Sequence, residues 1–196
     1  VIDFCAGVGV IGLGALLRDP AATATLIELQ PELAQLAERN ARDNGLAARA
    51  EVRTLDLRRL DDGGAQFDTA LANPPYRTLD EGPASPERQI AVAQHELELT
   101  LPELIAQMRR VLVPGGRALV VYPAARAPAL LAALEGASLR PLRLRCVHPR
   151  VGEPANRVLV AAHKGARGPL VIEPPLILRH GDGSYSDEAR IVLGES

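Results

Sequence analysis

Asp3-Phe4-Cys5-Ala6-Gly7-Val8-Gly9-Val10-Ile11-Gly12 leads from an apolar run, Val1-Ile2-Asp3-Phe4, into a segment of helical period, with three glycines in Gly-x-Gly-x-x-Gly spacing at the junction. Such glycines allow a tight turn and close approach of a ligand to the backbone, and the third lets the helix pack closely on the strand. The motif is weak by itself, because many nucleotide-binding α/β folds share it. Outward from it, short apolar runs alternate with helix-period stretches, as a parallel sheet with crossover helices requires. The expected elements are strand Val1–Cys5, helix Gly9–Leu17, strand Ala24–Glu28, helix Pro31–Asn44, strand Ala50–Leu55 and strand Phe67–Ala72. Asn44-Gly45 stops the second helix, and Pro31 suits its first turn.

Farther on, Arg77–Ser85 reads as a loop and Pro86–Leu112 as a long helical stretch interrupted near Pro102. Pro114-Gly115-Gly116 then turns into strand Arg117–Tyr122, followed by helix Ala124–Glu135. Leu139–Val147 and Arg157–His163 read as an antiparallel hairpin at one sheet edge. The expected domain spans residues 1–165, with 166–196 as its irregular, Gly- and Pro-rich tail. A chain of 196 residues, 47% hydrophobic and 23% charged, suffices for one globular core and is too apolar for a disordered one. Its apolar runs are strand-sized, short of the roughly 18 residues a membrane helix needs. Cys5 and Cys146 lack ligand-like spacing, so neither a metal nor a disulfide is expected. The chain begins within a strand-like run, and a missing preceding segment is the expectation.

Three acidic residues sharpen the glycine motif. Asp3 lies four positions before Gly7, where a carboxylate suits the amino-acid end of S-adenosylmethionine better than a pyrophosphate. Glu28 ends the next apolar run, 16 residues beyond Gly12, placed to accept both ribose hydroxyls. Asp56 follows the third strand and suits the adenine amino group of that cofactor. Directly after the fourth strand comes Asn73-Pro74-Pro75-Tyr76. An exocyclic amine on adenine is a poor nucleophile because its lone pair is delocalised into the ring. Accepting its two hydrogens, one on the Asn73 side chain and one on the Pro74 carbonyl, returns electron density to nitrogen during transfer. Pro75 holds Pro74 extended, and Tyr76 offers a face for a flipped base. The chemistry demands no general base.

Net charge is −2, but its distribution is uneven: residues 137–180 hold eight basic residues against two acidic ones. A basic quarter of this kind suits a polyanionic partner.

On these residues the chain resembles the class I methyltransferases with an Asn-Pro-Pro-Tyr tetrad, and among them the bacterial tRNA1(Val) (adenine(37)-N(6))-methyltransferase family. The resemblance extends over Glu28-Leu29-Gln30, Ala37-Glu38-Arg39-Asn40, Ala93-Gln94-His95-Glu96, Arg145-Cys146-Val147-His148-Pro149, Lys164-Gly165 and Pro174-Pro175-Leu176. Cys5 departs from it, since relatives often carry glycine there. The resemblance implies a Rossmann-like α/β fold with a mostly parallel seven-stranded sheet, S-adenosylmethionine as donor, and a tRNA adenine beside the anticodon as acceptor. The implied protein is cytoplasmic, free of membrane segments, and expected to be monomeric. Other nucleic-acid amino groups and a protein glutamine remain alternative acceptors. The expected cofactor set is Asp3, Gly7, Gly9, Gly12, Glu28, Leu29, Asp56 and Asn73; the expected catalytic set is Asn73, Pro74, Pro75 and Tyr76. The RNA-facing candidates are Arg77, Arg145, His148, Arg150, Arg157 and Lys164, with His95 and His148 open between RNA contact and local hydrogen bonding.

Overall fold

Strand β1 (Ile2–Phe4) is buried throughout and lies between β2 (Ala24–Glu28) and β4 (Phe67–Ala72), parallel to both. Near-continuous apolar runs form these strands because helices cover both faces of the sheet. The structure, a computed structural model, describes residues 1–61, 63–64, 66–75 and 99–193. Strand β3 (Ala50–Thr54) flanks β2, while β5 (Leu112–Pro123) flanks β4; both pairings are parallel. β7 (Arg157–Lys164) runs antiparallel between β5 and β6 (Leu139–Arg150). The order is therefore β3-β2-β1-β4-β5-β7-β6, and the direction of strand addition reverses between β1 and β4. Ligands of open α/β sheets bind at that reversal, outside the carboxyl ends of the strands.

Helices α1 (Val10–Arg18) and α2 (Pro31–Asp43) cover one face. Leu13 and Leu16 of α1, Ala37 and Ala41 of α2, and Leu26 of β2 form one apolar cluster. Helices α3 (Leu101–Val111) and α4 (Ala127–Gly136) cover the other, where Leu104, Ile105, Met108, Leu130 and Leu134 pack with Ile2, Phe4 and Val120. Each fully buried Leu, Ile or Phe there contributes roughly 1.5–3 kcal/mol of burial. The interruption expected near Pro102 is present: Leu99 and Thr100 are not helical and α3 begins at Leu101, while the expected loop Arg77–Ser85 and the first part of the expected helical stretch, up to residue 98, lie outside the described residues. Pro102 occupies the first turn of α3, where proline's missing N–H costs nothing, and Thr100 and Glu103 close a capping box around it. Pro114-Gly115-Gly116 lies within β5 as an irregularity, Phe67 pairing with Leu112 and Thr69 already with Arg117.

Of the expected irregular tail 166–196, the described residues 166–193 carry regular structure, and 194–196 lie outside the described residues. β8 (Val171–Ile172) and β9 (Leu176–Arg179) both pair parallel with β6, making nine strands among the described residues, and α5 (Asp187–Leu193) follows. Pro174-Pro175 splits what would be one edge strand in two, because proline cannot donate to the ladder. The β6–β7 hairpin is antiparallel as expected, but β8 and β9 cover its outer edge.

Strand register sets the relief of the catalytic edge. Ala72, Val120, Val160 and Leu144 form one rung across β4, β5, β7 and β6. β4 ends there, whereas its neighbours continue to the rung of Pro123, Arg157, Val147 and Leu176. Three further residues at about 3.4 Å each raise a wall of about 10 Å beside the residues that follow β4.

Candidate active site

The turn after β1 is built to hold a ligand against backbone. Gly7 (φ 56°) and Gly9 (φ 87°) lie in the left-handed region that favours glycine. A Cβ on Gly7 would meet nothing within 4 Å, so the turn leaves open space there. A Cβ on Gly12 would lie 3.0 Å from Asp3 Oδ2 and 3.3 Å from Leu26 Cγ, so this glycine permits the close seating of α1 on β1 and β2. Asn40 of α2 donates from Nδ2 to the Val8 carbonyl at 2.9 Å and pins the loop. That gives a physical role to a residue the sequence offered only as part of a helix signature.

Asp3 is 1% exposed. Its Oδ2 accepts the Gly12 N–H at 2.8 Å, while Oδ1 is buried without a hydrogen-bond partner. Burial pushes the carboxyl up to about 7, opposed by the Gly12 N–H and reinforced by the nearby Glu28 charge. Buried polar atoms are seldom left unpaired, so an orphan oxygen beside a glycine loop calls for a ligand donor. Glu28, 5% exposed at the end of β2, accepts the N–H of Gly7 at 2.7 Å and of Gln30 at 2.9 Å. Its carboxylate is thereby fixed at the loop, with Leu29 beside it and 42% exposed. Cys5, also at positive φ (56°), has its thiol pushed up to about 12 by burial and by the Glu28 and Asp3 charges, and it stays neutral.

Asp56 follows β3 at the same end of the sheet and caps a short 3-10 turn, accepting the Arg58 N–H at 2.9 Å. Arg58 folds back onto the carboxylate, Nε at 2.9 and 3.0 Å from its two oxygens, and holds it below the usual carboxylate range. Spacing alone could not reveal that partner. These residues fit the polar ends of S-adenosylmethionine: a spare buried acceptor for an ammonium, a fixed carboxylate for ribose hydroxyls and a second for an adenine amino group.

Asn73 and Pro75 are exposed and Pro74 is buried, immediately after Ala72, which pairs with Phe4. Asn73-Pro74-Pro75 thus leaves the sheet beside the glycine loop, across the strand-order reversal. Tyr76 and Arg77 lie outside the described residues, as does His95.

The basic candidates divide sharply. His148, Arg150 and Arg157 stand on the raised wall at the catalytic edge. Lys164 does not: it pairs with Leu139 at the opposite end of the sheet, and its Nζ donates to the Leu112 carbonyl. Arg145 is also committed. It grips Glu188 of α5 through Nη1 at 2.6 Å and Nη2 at 2.7 Å, and donates from Nε to the Pro174 carbonyl at 2.9 Å. A count of charges along the chain carries no direction, which is why these two looked like phosphate ligands.

Among the described residues no helix is long and apolar enough to cross a membrane. The profile of the methyltransferase small domain matches residues 1–135. The tRNA1(Val) (adenine(37)-N6)-methyltransferase of Aeromonas hydrophila subsp. hydrophila is 29% identical over 95% of this chain and 77% of its own. The enzyme of that name from Shewanella putrefaciens is 30% identical over 95% and 79%. A release factor glutamine methyltransferase of Deinococcus radiodurans is 32% identical over 70% of this chain and 50% of its own. Among solved structures, a predicted O-methyltransferase from Agrobacterium tumefaciens superposes with a TM-score of 0.78 at 25% identity, over all of this chain and 88% of that one. With residues 1–135 matching that family over more than half of the sequence, the chain belongs to the methyltransferase small domain family and is an S-adenosylmethionine-dependent methyltransferase.

Proposed function

We propose that the protein methylates the 6-amino group of an adenine in tRNA, near the anticodon. The observation that carries this reading is the delivery of Asn73-Pro74-Pro75 across the strand-order reversal from the Asp3–Glu28 loop. When bound, S-adenosylmethionine supplies an electrophilic methyl group. The spare Oδ1 of Asp3 takes its ammonium, the Glu28 carboxylate its ribose hydroxyls, and Asp56 its adenine amino group once shared with Arg58. The Asn73 side chain and the Pro74 carbonyl accept the two hydrogens of the target amine, and Tyr76 stacks on the extruded base. The amine nitrogen would gain the methyl and a positive charge as the methyl–sulfur bond breaks, its electron pair returning to sulfur to leave a neutral thioether, and would then lose a proton to water. A loop base suits such a site, since it costs less to extrude than a paired one. Two relatives named as tRNA adenine methyltransferases, aligned over 95% of the chain, support the substrate, and a tRNA substrate is consistent with a cytoplasmic enzyme.

The Deinococcus radiodurans relative favours a second reading, methylation of a protein glutamine, whose planar amide suits the same tetrad. Labelled S-adenosylmethionine offered with tRNA, ribosomal RNA or release factor separates the two; label should enter tRNA, and label confined to release factor would overturn our reading. Asn73→Ala should lower turnover on tRNA by about 100-fold while cofactor affinity changes little.

A further inference from the structure

We infer that the groove beside the raised wall, lined by His148, Arg150, Glu153, Pro154, Pro175 and Ile177, binds one nucleotide of single-stranded RNA flanking the methylated base, with His148 reading its 2′-hydroxyl. The inference rests on the RNA reading above. The groove is shallow and open to solvent, with a volume of about 400 Å3, comparable to that of small-ligand sites. It lies at the catalytic end of the sheet, on the rungs His148–Ile177 and Arg150–Arg179. β6 is three strands from β4, so the groove stands about 15 Å to the side of the tetrad, a distance a looped strand covers in a few nucleotides.

Its lining has two chemistries. Pro154, Pro175 and Ile177 give apolar walls against which a base can lie. Arg150 is exposed in the lining, its Nη1 lying 3.4 Å from Oε1 of Glu153, likewise exposed. An exposed pair of that length is worth little, so the guanidinium is available to a phosphate. His148 is more constrained. Its Nδ1 lies 2.7 Å from the Glu153 carbonyl, and because a carbonyl only accepts, Nδ1 carries the proton. In the neutral ring Nε2 is then an acceptor. A hydroxyl donor answers that lone pair, and the 2′-hydroxyl is what distinguishes RNA from DNA at a given site.

Arg145 enters as a positioning residue. It donates to the carbonyls of both Pro174 and Pro175 and is tied to Glu188, so it holds the Pro175 wall of the groove against β6.

His148→Asn places an amide where Nδ1 stood, retaining a donor for the Glu153 carbonyl while removing the Nε2 acceptor. Arg150→Gln removes the charge. Both would be compared with the unmodified protein for binding to a hairpin RNA with an adenine in its loop, and to the all-deoxy hairpin of the same sequence, by fluorescence anisotropy. Unaltered cofactor affinity verifies the fold of each variant. The unmodified protein should prefer RNA, His148→Asn should lose about tenfold on RNA and little on DNA, and Arg150→Gln should lose on both. RNA preference undiminished in His148→Asn, in a protein that methylates the hairpin, would overturn the groove assignment alone. A protein that neither binds nor methylates the RNA overturns the substrate reading and the groove together.

Discussion

Asp3→Asn exchanges a buried carboxylate for a neutral amide of the same shape. The amide oxygen can still accept the Gly12 N–H, and only the charge is lost. Asp3 sits near 7 in the fold against an ordinary value of 3.8, so the native chain binds its proton more tightly than the unfolded chain does. A folded value raised in this way makes stability fall as pH rises from about 4 to about 7, with the full cost present above the folded value. At 1.36 kcal/mol for each pH unit, the ionised carboxylate costs on the order of 4 kcal/mol at pH 8, of which roughly 3 kcal/mol is recovered at pH 5. Urea unfolding of the cofactor-free protein at both pH values measures this directly. The unmodified protein should be more stable at pH 5 after the other carboxylates are accounted for, whereas Asp3→Asn should lose that increment and exceed it in stability at pH 8. Cofactor binding carries the opposite sign. An ammonium on Oδ1 favours the ionised form, so affinity should weaken toward tenfold per unit as pH falls below 7, and Asp3→Asn should flatten that profile. An identical stability difference between the two proteins at pH 5 and pH 8 would refute the reasoning, since it would mean Asp3 does not titrate in this window.

Gly12→Ala should cost about 1–3 kcal/mol in urea unfolding, because the added methyl lies 3.0 Å from Asp3 Oδ2 and must push α1 off β1. Cys5 occupies a left-handed conformation that costs a side-chain-bearing residue about 1–2 kcal/mol, so Cys5→Gly should leave stability within about 1 kcal/mol, and Cys5→Val should lower it by more. Glu28→Ala should weaken S-adenosylmethionine binding at least about tenfold in calorimetry. Arg150→Gln should flatten the salt dependence of RNA binding by about 0.7 in log-log slope, whereas Lys164→Met, altered at the far end of the sheet, should leave the slope unchanged.

Much of the strand and helix order in the first half was legible because its signals are local. Glycines at a strand end, short apolar runs and Pro31 at a helix start each act within a few residues of themselves, and strands Ala24–Glu28 and Phe67–Ala72 have the expected bounds. What escaped depends on partners distant in sequence. Arg145 looked free until Glu188 and the Pro174 carbonyl were placed against it, and Lys164 until the Leu112 carbonyl was. β8 and β9 are two and four residues long, too short for a period, and they exist because β6 offers an edge to pair with. Pro102 marked a break in the helical stretch, and the Thr100–Glu103 cap makes that break a helix start.

The tail strands also guard the protein against its own kind. Without them β6, twelve residues from Leu139 to Arg150, would present a long row of unpaired backbone donors and acceptors, the template on which chains aggregate edge to edge. β8 and β9 take up that row, and the proline pair between them leaves the new border broken, a poor seat for a further strand. Because β9 joins β6 from some thirty residues farther along the chain, this border cannot form until residue 176 has been synthesised. On a ribosome, the chain therefore passes through a stage with an open flank, and chaperone dependence should be greatest for nascent chains that stop short of residue 176.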